Sequence, residues 1–170
     1  MNEAASAVPI TIRRALAGDG DGIARTFLES AAYHARLDSE RYAVPVIEPI
    51  AARYREGRQH SPDAANGPAI TLVADVDGEI VGFVDARLDR SPDPMHRDMT
   101  YCHIVEIAVS ERHQNRGVGA RLLRAAEDWG REQGATFASL EYHTANTRAA
   151  SFYQKKMGYR VAAIIAIKRL

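Results

Sequence analysis

Between Ile104 and Trp129 the sequence reads IVEIAVSERHQNRGVGARLLRAAEDW, and no other stretch constrains the fold as tightly. A β-prone run ends at Val109 and a short polar loop follows. From Gly117 apolar residues return at helical spacing, with Val118, Leu122, Ala125 and Trp129 at i, i+4, i+7 and i+11. A strand that feeds an amphipathic helix through a glycine turn predicts an α/β protein. The same arrangement suits an anion. The first-turn N–H groups of a helix have no intrahelical acceptor, and the helix dipole adds positive character there. Gly117 and Gly119 let a ligand approach the backbone with no Cβ in the way. Arg112, Arg116, Arg121 and Arg124 stand against a single glutamate, Glu111, over residues 111–124.

Two common phosphate loops are excluded. A dinucleotide fingerprint needs a third glycine three residues after Gly119, and position 122 is leucine. A Walker-type loop needs Gly-Lys-Ser/Thr, and the lysines Lys155, Lys156 and Lys168 do not follow a glycine.

Around this centre the patterning predicts β-α-α-β-β-β-α-β-α-β. Ile10–Arg14 alternates as a strand, and Asp19 or Asp21 is suited to cap a helix carrying Ile23, Phe27 and Ala31 on one face. A second helix is expected from about Glu48 to Arg58, and a loop from His60 to Pro68. Ile70–Val76 and Glu79–Leu88 read as strands joined by a tight Asp77-Gly78 turn. Tyr101–Val109 and Thr136–Tyr142 are strands, Gly134 ends the central helix, Thr147–Met157 is a short helix, and Tyr159–Ile167 is a final Val/Ile-rich strand. Helices are expected on both faces of one sheet. Residues 1–8 are small and polar and are expected to be a flexible N-terminus; residues 9–170 are expected to form a single domain.

Composition narrows the partners. Twenty-two Lys+Arg balance 22 Asp+Glu, which argues against nucleic acid or an anionic membrane. The lone Cys102 allows no intramolecular disulfide, no run approaches a membrane span, and Met1–Val8 lacks the features of a secretory signal. A cytoplasmic location is the expectation. The six histidines show no ligand spacing, so no metal site is expected.

Gln114-Asn115-Arg116-Gly117-Val118-Gly119, following a strand and opening a helix, resembles the pyrophosphate-binding signature of the GNAT N-acetyltransferase superfamily. Downstream, Asn146, Ala149, Phe152-Tyr153, Lys156 and Gly158-Tyr159 resemble that family's N-x-x-A-x-x-F-Y…G-F/Y motif, and ITIRRALAGD resembles its first strand and turn. Gly158 stands five positions after Tyr153, where four is more usual, an extra residue that predicts a bulge or a longer helix end.

The resemblance implies a mixed sheet of six to seven strands flanked by about four helices. It implies acetyl-CoA held where strands Tyr101–Val109 and Thr136–Tyr142 splay apart. The backbone of Ile107, Ala108 and Val109 would pair with the pantetheine arm. Gln114, Asn115, Arg116, Gly117, Val118, Gly119 and Ala120 would cradle the pyrophosphate, and Asn146 would contact the arm. The N–H of Val109 would polarise the thioester carbonyl.

Tyr153 occupies the family's general-acid position and would also lie against the cofactor. For the base, Glu106 lies in an otherwise apolar strand, which raises a carboxyl pKa. Glu141 resembles the position used by relatives that acetylate protein N-termini. His103 matches the base of other relatives and is expected on the strand face opposite Glu106. All three also suit ordinary, partly exposed strand positions, and a water chain is an alternative base. Tyr33, His34, Arg36, Asp38 and Tyr42, with the Asp89–Thr100 loop, occupy the region that forms the acceptor pocket in the family; a solvated helix end is the plainer reading. The expected activity is direct acetyl transfer from acetyl-CoA to a primary amine of a small molecule or peptide, with a non-catalytic acyl-CoA-binding regulatory module as the alternative. Residues Val161–Ile167 offer an edge for a homodimer.

Overall fold

The computed structural model describes residues 9–55, 67–90, 95 and 97–168. The N-terminal octapeptide and most of the His60–Pro68 loop fall outside these residues. Strand β1 (Thr11–Arg14) leads to helices α1 (Gly20–Leu37) and α2 (Ile47–Arg55). Strands β2 (Ala69–Val76), β3 (Glu79–Arg90) and β4 (Thr100–Val109) follow. Then come α3 (Val118–Glu132), β5 (Phe137–Leu140) and α4 (Thr147–Ser151). The sheet order is β1-β2-β3-β4-β5. Every neighbouring pair is antiparallel except β4 and β5, which α3 connects in parallel.

The β2–β3 hairpin turns through two positive φ values, 51° at Asp77 and 84° at Gly78, as the sequence predicts. On one face α3 buries Val118, Leu122, Leu123, Ala126 and Trp129 against Leu72, Val84, Ala86 and Ile104. On the other, α1 and α2 bury Ile23, Ala24, Ile50 and Tyr54 against Val73, Phe83 and Ala108. Each large side chain so buried contributes roughly 1.5–3 kcal/mol, which holds the sheet between two helical layers.

Two expectations are corrected. Asp19 directly precedes α1, but its side chain does not cap the helix. It takes two hydrogen bonds from the Arg13 guanidinium (2.7 and 2.9 Å) and one from the Leu16 N–H (2.7 Å). A charged bidentate partner outcompetes a neutral amide, so the carboxylate ties β1 to the start of the helix instead. The Arg13 bonds hold its pKa below the usual carboxylate range despite burial.

The sheet has five strands among the described residues, not six to seven. The apolar segment Tyr159–Ile167 forms no strand. Val161 is 56% exposed, Ile164 80%, Ile165 67% and Ile167 65%. A β-prone sequence becomes a strand only against a sheet edge, and this segment pairs with none of the described strands.

Candidate functional site

The site begins where β4 and β5 part. Their parallel pairing runs from Tyr101↔Phe137 to Ile104↔Leu140, and β4 then continues to Val109 alone on that side. The Ser110 N–H donates to Val81 O on β3 (2.9 Å). Strand alternation therefore turns the backbone polar groups of Ile107 and Val109 into the fork and those of Ala108 toward β3. The Val109 carbonyl is met by Gln114 Nε2 at 3.0 Å, and Gln114 Oε1 accepts from Arg148 at 2.6 Å. The Gln114 side chain thus joins the strand end to α4.

Beyond β4 the chain takes left-handed conformations at Asn115 (φ 61°) and Gly117 (φ 83°) before α3 starts. Such alternation points successive N–H groups into a concavity. The Val118, Gly119 and Ala120 amides occupy the first turn, where no intrahelical acceptor exists. Next to them a cleft of about 670 Å³ is lined by Asn115, Arg148, Ser151, Phe152, Lys155 and Lys156. Arg148 and Lys155 extend the positive character from one turn to a whole groove. They escaped the sequence reading because they lie over 30 positions away, on an element whose direction only the fold supplies.

The carboxylates are arranged by a bulge. On β3, Asp85 pairs with Glu106 and Ala86 with Ile104, so Val105 is an extra residue. Cys102 and Ile104 face α3, whereas Glu106 and Ala108 face α1 and α2. The expectation that His103 lies opposite Glu106 is therefore overturned. One inserted residue cancels one alternation, and the two side chains share a face. Burial first, then the nearby Asp85 charge, push the Glu106 carboxyl up to about 7, although a Ser30 hydrogen bond opposes this.

His103 touches Ser139 Oγ on β5 at 3.1 Å, and burial lowers its pKa. Glu141 lies exposed just past β5, near enough for its charge to act on His103. Cys102 is buried, contacts the Ala126 carbonyl (3.4 Å), and burial pushes its thiol up to about 11, as suits a small core residue.

Asp85 was not anticipated. It is 2% exposed, and both oxygens accept short hydroxyl bonds, from Thr71 (2.6 Å) and Tyr54 (2.7 Å). An aspartate within the apolar run IVGFVDARL carried the same signal that singled out Glu106.

Tyr153 is 9% exposed, its ring packed by Tyr142, Phe152 and Tyr159. Burial, with a contribution from the Glu106 charge, pushes its phenol up to about 12, so it stays protonated. After α4 the chain makes a π turn over Phe152–Lys156, with the Met157 N–H reaching Phe152 O at 3.1 Å. The extra residue before Gly158 is absorbed there as the expected bulge. Asn146 is buried; its Oδ1 caps α4 through the Ala149 N–H (3.0 Å) and accepts from the Tyr33 hydroxyl (3.3 Å).

Tyr33 also brings the end of α1 to the fork. His34, Tyr42 and His143 form a row of rings at 5.3 and 5.9 Å, and Asp38 lies 3.3 Å from His143. Arg148 covers the Tyr33 ring at 5.1 Å. The polar-aromatic group seen in the sequence is thus continuous with the loop after β5, whereas residues 91–94 and 96 of the Asp89–Thr100 loop lie outside the described residues. Backbone donors, a protonated phenol and a near-neutral carboxyl around one fork can bind an extended phosphorylated ligand and move protons at its reacting end.

The sequence profile described as the Acetyltransferase (GNAT) family matches residues 29–159. The chain is 32% identical over 101 residues to an N-alpha-acetyltransferase of Sulfurisphaera tokodaii, covering 57% of this chain and 60% of that protein. It is 31% identical over 97 residues to the N-terminal acetyltransferase A complex catalytic subunit NAA10 of Arabidopsis thaliana, covering 55% of this chain and 47% of that one. The match thus spans about half to three fifths of those relatives. The solved aminoglycoside N-acetyltransferase AAC(6')-Iy, in complex with CoA, superposes with a TM-score of 0.65 over 98% of each chain at 16% identity, a likeness of fold.

Proposed function

The chain belongs to the acetyltransferase (GNAT) family, and from that premise we propose that it moves an acetyl group from acetyl-CoA to a primary amine of a small molecule or peptide, by direct transfer in a ternary complex. The observation that carries this reading is the fork, where the Ile107 and Val109 backbone is free of β5 and both Tyr153 and Glu106 stand near it. The donor set fits the ligand. Pantetheine is amide-bearing and can pair with a free strand edge, the N–H groups at the start of α3 suit a pyrophosphate, and the groove with Arg148, Lys155 and Lys156 suits further phosphate charge.

The chemistry follows from placement. Glu106 takes a proton from the bound ammonium, because a carboxyl near neutrality is half ionised where the amine needs a base. The free amine nitrogen attacks the thioester carbon while the Val109 N–H stabilises the oxyanion. The C–N bond forms, the C–S bond breaks, the sulfur leaves with the electron pair, and the nitrogen gives its second proton to water as it becomes the amide. Tyr153 donates its O–H to that sulfur. With its pKa pushed up to about 12 against about 8.5 for an ordinary thiol, it acts chiefly as a hydrogen-bond donor to developing charge, and bulk water completes protonation. Relatives named for N-terminal and for aminoglycoside acetylation support an amine acceptor of either kind.

The test is thiol release from acetyl-CoA across aminoglycosides, amino-acid amides and peptides with free N-termini. Release with at least one amine is expected. Thermal stabilisation by acetyl-CoA, with release from none, would instead identify a non-catalytic acyl-CoA-binding module.

A further inference from the structure

Two acidic side chains face each other across the central strands, and they are not equivalent. Asp85 on β3 has a hydroxyl donor on each oxygen, Thr71 from β2 and Tyr54 from α2. Glu106, its register partner on β4, receives a Ser30 bond from α1. The charge of such a pair settles where donors already point, and the remaining proton goes to the other member. We propose that Asp85, held by Thr71 and Tyr54, is a positioning residue whose fixed negative charge keeps Glu106 able to accept a proton near neutral pH. This rests on Glu106 being the base of the reaction above. Burial already raises the Glu106 carboxyl, and the Asp85 charge beside it raises it further, toward the range where it deprotonates an ammonium ion rather than only holding it.

Other groups around Glu106 do not replace this one. Ser30 from α1 is neutral, and its bond favours the ionised carboxylate. Tyr54 from α2 and Tyr153 from the π turn both have pKa values raised by burial, so neither supplies charge. His103 lies further along the same face, opposite Arg87 on β3, and its pKa is lowered. Asp85 is the charge carried by the strand residue paired with Glu106.

The experiment is a carbon-13 titration of the Glu106 side-chain carboxyl in the full chain labelled at glutamate, the signal being assigned by its loss in Glu106→Gln. Asp85→Asn is expected to lower the midpoint by about one pH unit, since a single nearby carboxylate moves another by that order. Tyr54→Phe is expected to lower it too, by less, because Asp85 then has only the Thr71 donor and the proton shared by the pair shifts toward Asp85. A midpoint unmoved in Asp85→Asn overturns the proposal and leaves the acetyltransferase reading intact. Where Asp85→Asn does not fold, Tyr54→Phe decides by the same criterion. The acid limb of kcat/KM against pH is measured alongside. A limb that follows the midpoint supports the proposal; a midpoint that moves while the limb stays removes Glu106 as the base, and the positioning role with it.

Discussion

Replacing Glu106 with glutamine should make the protein more stable in weak alkali while it loses activity. In the folded chain the carboxyl is pushed up to about 7 from a reference of 4.5. A raised carboxyl means that the native state keeps a proton the unfolded chain has released. Its contribution is therefore complete below the unfolded value and is lost as pH rises through the folded one. At about 1.4 kcal/mol per unit, the 4.5-to-7 interval corresponds to about 3–4 kcal/mol, of which about 2–3 kcal/mol falls between pH 5 and 8. Glutamine has nearly the same shape and does not titrate. Urea unfolding of both proteins at pH 5 and pH 8 isolates the effect, because every other titrating group cancels in the difference between them. The stability of the variant relative to the parent should improve by about 2–3 kcal/mol from pH 5 to pH 8. In transfer assays kcat/KM should fall by roughly 10²- to 10⁴-fold, the range for a lost general base. A stability difference equal at both pH values would refute the claim that this carboxyl titrates near neutrality.

Tyr153→Phe should lower kcat by roughly 10- to 100-fold with acetyl-CoA affinity almost unchanged, as loss of a donor to the leaving sulfur requires; unchanged turnover would remove Tyr153 from the chemistry. The double change Lys155→Ala with Lys156→Ala should weaken acetyl-CoA binding about tenfold at low ionic strength and less at high salt, measured by calorimetry, and equal affinities would show that the phosphates lie elsewhere. Gly130→Ala should cost about 1–3 kcal/mol in urea unfolding, because the added Cβ would stand 2.7 Å from the buried Cys102 sulfur and against its Cβ.

Much of the architecture was legible because its determinants are local. The apolar-polar alternation in Ile10–Arg14, the period near 3.6 from Val118 to Trp129, and positive-φ chemistry at Asp77-Gly78 act within a few residues of one another. The extra residue after Tyr153 was readable in the same way and became the π turn. The Gln114–Ala120 turn and Glu106 were legible from local pattern and Tyr153 only from the family resemblance, and the three lie near the same fork.

What tertiary structure alone decided depends on partners. The carboxylate of Asp19 went to Arg13, not to its own helix, because a charged fork from β1 was within reach. Tyr159–Ile167 has the composition of a strand and no strand to pair with among the described residues. The Val105 bulge lies between two well-patterned halves of one strand, yet it puts His103, Glu106 and Asp85 on a single face. Periodicity assigns a face only while register is unbroken, and register belongs to two strands together. The sequence therefore determined which groups were available and on which elements; the pairing of β3 with β4 decided which of them meet.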